Sequence, residues 1–331
     1  MSRSPAAVPA SLEAVQRPVE ADLGRVVLEL RRILTADLPI ISEVSAHLLQ
    51  MRGKLLRPTM LLLANQAAQA EDPRAVTLAA VVELIHVATL VHDDSVDHSV
   101  LRRGLPTVNH LFSHQVSVIM GDYLYSRAVV ELARMRDPDP LEVLARVTNE
   151  MTIGEMRQLG ALDRLSYSER EYDALIGSKT AALFAGACEC GALRAAAERR
   201  HALRAFGYAF GMLFQITDDL IDYTESQEVT GKPAGLDLKE HKVTLPLMAA
   251  LVEMGPSERA AVEALFAEQV PTASHIEEVV RLVDRHGGLE YARGRAAGFA
   301  TEAERQLAVL PASTAREALR AAVAYAVERR R

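Results

Sequence analysis

The sequence predicts an all-helical fold. Apolar residues make up 49% of the 331 residues and there is no tryptophan. Alanine and leucine dominate, which favours helix over strand. Segment after segment repeats its apolar residues at helical spacing. No stretch alternates as a half-buried strand does, and there is neither an internal repeat nor a low-complexity run.

The elements follow in order. Residues 1–8 read as a loose tail, and 9–331 as a single helical domain. Ser11 caps a helix running to about Leu34. Helical patterns then cover roughly 40–50, 57–70, 75–98, 114–136, 140–161, 169–196, 200–224, 241–253, 257–268, 275–287, 289–308 and 313–329. RDPDP at 136–140 and MGP at 254–256 carry stop-and-restart chemistry. The helices at 75–98 and 169–196 are apolar on more than one face and belong inside a bundle. One stretch, ESQEVTGKPAGLDLKEHK at 225–242, departs from helix. A loop of that length in a helical protein is a candidate functional segment.

Composition excludes several classes. A net charge of -7 argues against nucleic-acid binding. Cys188 and Cys190 sit two apart on a helix, where a disulfide cannot close. They read as small buried residues in a reduced, intracellular setting. The first residues lack the apolar core of a secretory signal. No run reaches the ~18 apolar residues of a membrane span. The expectation is a soluble, cytoplasmic protein.

HDDSVD at 92–97 ends the apolar run VVELIHVATLV. FQITDDLID at 214–222 repeats the layout. Asp93 and Asp97 are four apart, as are Asp218 and Asp222; on a helix each pair shares one face, with Asp94 or Asp219 about 100° away. Like charges at that spacing repel, so a cation should offset each cluster. Two such clusters read as facing helices around a metal, against the blander reading of solvated helix ends. All-oxygen ligands point to Mg²⁺ or Mn²⁺, which keep open positions for water and phosphate. Basic residues support a phosphate site: Lys54 and Arg57 beside Gly53, Arg102 and Arg103 after the first cluster, Lys179 before Thr180, then Lys232 and Lys242. Arg clamps phosphate oxygens with a fork and Lys acts as a point charge. His86 lies seven residues before Asp93, two turns up the same face, so a ligand role stands beside that of a core histidine.

These motifs, with GKLLRP at 53–58, RRGLPTVN at 102–109, GDYLY at 121–125, GEMRQL at 154–159, KTAALF at 179–184, GKPAGLDLKEHKVTLPL at 231–247 and LPASTAREAL at 310–319, resemble the trans-type isoprenyl (polyprenyl) diphosphate synthases. The match spans nearly the whole chain, and its ordered set is specific where each motif alone is weak. The resemblance implies a bundle of the isoprenoid synthase type with a central substrate cavity. It implies Mg²⁺, three ions per active site, replaceable by Mn²⁺. Asp93, Asp94, Asp97, Asp218, Asp219 and Asp222 would hold them across the allylic diphosphate. Arg102, Lys179, Lys232 and Lys242 would bind that diphosphate. Gly53, Lys54, Arg57, His86 and Arg103 would bind isopentenyl diphosphate. Thr180 and Gln215 would turn oxygen dipoles to the allylic cation, and the 225–242 loop would close over the site. A homodimer is implied, with transient membrane contact on release of an oily product. One departure is His241, where the family has glycine before the lysine.

Ala88 and Thr89, five and four residues before Asp93, are small. In the family aromatic residues there block the growing tail. The resemblance therefore implies a long product, C30 to C50, with a C20 geranylgeranyl synthase as the alternative. Other classes compete. A class I terpene cyclase shares the first cluster but not the isopentenyl-binding residues. A di-iron bundle would use Glu83-x-x-His86 and Glu198-x-x-His201. A non-catalytic partner subunit would have lost the aspartates, which this chain keeps.

Overall fold

The computed structural model describes residues 11–51, 53–160, 165–224 and 235–329. Lys232, the 1–8 tail and the first part of the 225–242 loop lie outside the described residues. The helices are α1 Leu12–Gln16, α2 Glu20–Leu34, α3 Pro39–Gln50, α4 Leu56–Ala67, α5 Ala75–Val96, α6 Val108–Leu111, α7 His114–Arg134, α8 Pro138–Gly160, α9 Glu169–Ile176, α10 Ala182–Gly191 and α11 Ala197–Thr224. They continue with α12 Leu236–Lys239, α13 Leu245–Glu253, α14 Pro256–Ala267, α15 Ala273–Arg285, α16 Gly288–Gln306 and α17 Thr314–Glu328.

The core lies where α4, α5, α10 and α11 meet. Met60, Leu61 and Leu63 of α4, Leu78, Leu84 and Ile85 of α5, Phe184 of α10, and Phe206 and Phe210 of α11 are fully buried. Each such side chain contributes about 1.5–3 kcal/mol of burial. Phe184 meets Phe210 edge to face at 5.1 Å. Cys188 and Cys190 are buried within α10, where burial pushes both thiols up, away from reactivity.

Departures from the sequence reading have local causes. The helix expected over 11–34 is broken by a 3₁₀ turn at Arg17–Val19, because Pro18 has no N–H to give. Ser11 caps α1 as expected, accepting from Ala14 N. The helix expected over 169–196 is interrupted by one π-helical turn, Gly177–Ala181. Such turns widen a helix locally and cluster at functional sites. LRRGLP forms a small hairpin, β1 Leu101–Arg102 against β2 Leu105–Pro106, which the sequence reading missed.

Helix α5 is long and apolar enough to span a membrane by length and composition, unlike the expectation from the sequence. Most of it is buried inside the bundle, and it ends in the first aspartate cluster. It is the central core helix, and its last turn opens onto a cavity.

Candidate active site

A cavity of about 1250 Å³ opens at the ends of α5 and α11. Asp93 and Asp97 line it from α5 and Asp218 from α11. The other three aspartates of the two clusters are engaged by protein donors and do not line it. Asp94, a hundred degrees around α5, is buried. Both its oxygens accept from Arg102 Nε, at 2.9 and 2.8 Å. Asp219 is buried and accepts from Tyr172 and Gln215. Asp222 accepts the backbone N–H groups of Leu236 and Asp237 at 3.1 and 2.9 Å. It thereby caps α12 and ties it to α11. Helical spacing puts residues on a face, but donors arriving from other elements decide which carboxylates are left open.

The hairpin aims two arginines. Its central residues, Arg103 and Gly104, both have positive φ, 52° and 77°. Arg102 turns to Asp94, while Arg103 turns across to donate to Met51 O at 2.8 Å. The Arg103 guanidinium lies over Gly53, where a Cβ would stand 2.5 Å from its nitrogens. Glycine in the GKLLRP segment is what admits the arginine.

Arg57 Nη1 donates to His86 Nε2 at 3.1 Å, and its guanidinium lies 4.5 Å from the Phe184 ring centre. Burial, then the Arg57, Arg103 and Arg102 charges, hold the His86 ring well below its usual range. The ring is therefore neutral and accepts at Nε2. Burial lowers Arg57 to about 10, still cationic at neutral pH. Glu83, buried and lining the same corner, is raised by burial against the pull of Arg57 and Arg103. Lys54 Nζ reaches Tyr325 OH of α17 at 3.2 Å. Glu198 and His201 are exposed at the start of α11, so the second half of a di-iron site has no core to face.

The π turn carries Lys179 and Thr180 into the cavity. Lys179 Nζ lies 2.8 Å from Glu155 Oε1, 3.2 Å from Gln158 Oε1 and 3.6 Å from Asp93 Oδ2. Burial first, then Glu155 and Asp97, push Asp93 up to about 6 against the opposing pull of Lys179 and Arg102. The GEMRQL segment thus holds the lysine beside the first cluster. If Lys179 holds the allylic diphosphate, as the resemblance implies, replacing Glu155 by Ala should raise the KM for that substrate by roughly 5-fold, the worth of one half-exposed ion pair, and leave the KM for the other substrate unchanged. Steady-state kinetics with each substrate varied would check this.

Arg329, just beyond α17, was not foreseen. It pairs with Asp218, donates to Phe214 O at 2.9 Å and stacks 3.7 Å from the Phe214 ring centre. In sequence it belongs to a run of three arginines that none of the motifs quoted above includes. Burial raises Asp218, while Arg329, Lys54 and Arg57 act to lower it. Lys242 lines the cavity and donates to Glu240 at 2.6 Å. His241 before it stands at φ 55°, the left-handed region glycine prefers, and its ring packs on Phe266 at 5.5 Å.

The donor set fits a divalent cation with a diphosphate. Hard carboxylate oxygens from two helices suit Mg²⁺ or Mn²⁺, and the cavity is also lined by Lys54, Arg57, Arg103, Lys179 and Lys242. The buried Nε of Arg57 has no hydrogen-bond acceptor among the described residues, as suits a cation placed for an anion.

The polyprenyl synthetase family model matches residues 38–283. The chain belongs to this family. Among its relatives, this polyprenyl synthetase is 36% identical to an octaprenyl diphosphate synthase of Escherichia coli over 97% of this chain and 100% of that one. It is 37% identical to an all-trans-nonaprenyl-diphosphate synthase (geranyl-diphosphate specific) of Rhodobacter capsulatus over 91% of this chain and 93% of that one. A Caulobacter crescentus polyprenyl synthase, solved with calcium and isoprenyl diphosphate, superimposes with a TM-score of 0.92 at 36% identity, covering 98% of this chain and 100% of that one. The bundle is the all-α isoprenoid synthase fold.

Proposed function

We propose that this prenyltransferase condenses isopentenyl diphosphate head-to-tail with an allylic diphosphate, and repeats the step to a long all-trans polyprenyl diphosphate of C30 to C50. One observation carries the reading. A single cavity is lined by Asp93, Asp97 and Asp218 from two helices, by Lys54, Arg57 and Arg103, and by Ala88 and Thr89 of α5 with Ala145 and Thr148 of α8. Carboxylates, two sets of cations and a wall that carries small residues are what two diphosphates and a growing tail need.

Asp93, Asp97 and Asp218 would hold Mg²⁺, three ions in the loaded site, with Mn²⁺ able to replace it. Bound there, the metal neutralises charge on the departing diphosphate. Lys179 and Lys242, with Lys232 from outside the described residues, hold that diphosphate. Lys54, Arg57 and Arg103 hold isopentenyl diphosphate, with His86 orienting Arg57 and Arg102 orienting Asp94. Thr180 and Gln215 present oxygen to the allylic cation while the isopentenyl double bond attacks it. The freed diphosphate takes the final proton. The closed cavity keeps water from the cation.

A volume of about 1250 Å³ exceeds the ~300–1,000 Å³ of ordinary small-ligand pockets. It leaves room for two substrates, and the relatives named as octaprenyl and nonaprenyl synthases support the long product over the C20 alternative. A cytoplasmic homodimer, with transient membrane contact for product release, completes the reading.

The test is product chain length. Purified chain with Mg²⁺, labelled isopentenyl diphosphate and C10, C15 or C20 primers should yield C30 to C50 products by chromatography. Chelation of the metal should abolish incorporation. Products that stop at C20 would favour the geranylgeranyl reading. No incorporation of isopentenyl diphosphate would return the chain to the cyclase or partner-subunit classes.

A further inference from the structure

We infer that Tyr172 and Asp219 are positioning residues, a buried relay that sets which end of the Thr180 hydroxyl faces the reacting centre. The inference rests on the prenyl-transfer reading above. Four residues form one chain of hydrogen bonds. Tyr172 OH donates to Asp219 Oδ2 at 2.5 Å. Gln215 Nε2 donates to Asp219 Oδ1 at 2.9 Å. Thr180 Oγ1 donates to Gln215 Oε1 at 2.8 Å. Tyr172 and Asp219 are 2% and 5% exposed and do not line the cavity; Thr180 and Gln215 do.

The chain has one polarity. A carboxylate only accepts, so the side of Gln215 that meets Asp219 must be its NH₂. Its oxygen then faces Thr180, and Thr180 must spend its hydrogen there. What remains toward the cavity is the lone-pair side of Oγ1, the negative end of the dipole. A flipped amide would reverse this, with Thr180 accepting from Gln215 and turning its hydrogen inward. The same side chains would then repel a cation. A neutral Asp219 with its proton on Oδ2 leaves Oδ1 an acceptor, so the orientation of Gln215 is unchanged.

The backbone is built to hold the relay. Gly211, one turn before Gln215, brings α11 against the π turn; a Cβ there would stand 2.5 Å from Ala181 Cα. Tyr172 is fixed by α9, whose first turn is locked by the Ser168–Glu171 capping box. The tyrosine belongs to none of the motifs quoted above.

The test is a mutational cycle on the full chain with Mg²⁺. Tyr172→Phe is isosteric and keeps the buried ring. It should lower kcat about 5- to 10-fold, the net worth of one hydrogen bond, with KM for both substrates and the melting temperature near wild type. Thr180→Val should lower kcat further, and Thr180→Ser should restore most of it. In the Thr180→Val background, Tyr172→Phe should change nothing more, because the relay acts only through that hydroxyl. Asp219→Asn should lower kcat without raising the Mg²⁺ concentration for half-maximal rate. A raised Mg²⁺ requirement in Asp219→Asn, or Tyr172 and Thr180 effects that simply multiply, would overturn the relay. Wild-type chain that elongates beside an unaltered Tyr172→Phe variant would sink the relay alone. Wild-type chain that does not incorporate isopentenyl diphosphate would overturn the functional reading and the relay with it.

Discussion

Asp218→Asn should lower kcat for chain elongation roughly 100- to 1000-fold, the range for losing one preorganised electrostatic group at a reacting centre. Asp218 is the one aspartate of the second cluster that lines the cavity. Asp219 and Asp222 are held by protein donors and cannot replace it. The substitution is nearly isosteric, and the residue is half-exposed to the cavity, so folding should be kept. Two effects add. The second helix loses its open carboxylate, so the Mg²⁺ concentration for half-maximal rate should rise. Arg329 also loses the anion it pairs with. An Arg329→Ala control separates them, since it should alter substrate KM more than the Mg²⁺ requirement. Activity of Asp218→Asn within threefold of wild type at saturating Mg²⁺ would remove Asp218 from the machinery.

The contrast between Asp218 and its neighbours shows what a single sequence makes legible. Spacing alone puts Asp93 with Asp97 and Asp218 with Asp222 on helical faces, because 3.6-residue periodicity is local. Occupancy of those faces is not local. Arg102 reaches Asp94 by way of a hairpin too short to show strand alternation. Asp222 is claimed by α12, which forms inside the 225–242 stretch that reads as a loop. Tyr172 comes to Asp219 from 47 residues away. The π turn at Lys179 was also invisible, since one extra residue barely disturbs an apolar pattern in so alanine-rich a helix. Arg329 had no signal beyond its charge. The glycines that admit side chains or neighbouring helices were visible as letters, but their reason lies in the packing.

The exit of the cavity gives the second large effect. Ala88→Phe should shorten the product to C20 or below, with the rate of the first condensation kept within a few-fold. Ala88 lies five residues before Asp93, about 7.5 Å along α5 at 1.5 Å per residue. It is 3% exposed and is among the residues that line the cavity. A phenyl ring there would take up space in the cavity that Ala145 and Thr148 also line. The substitution leaves Lys54, Arg57, Asp93 and Asp218 in place, so substrate binding and the first bond should be little affected. Thr89 makes a useful comparison. Its hydroxyl donates back to His86 O at 2.8 Å, turning its methyl outward, and Thr89→Phe should also shorten the product while loosening the turn that carries His86. Chromatography of products from a C10 primer checks both variants. If Ala88→Phe still makes products of wild-type length, the tail does not run along α5, and the wall that sets chain length must be sought on α7 and α8.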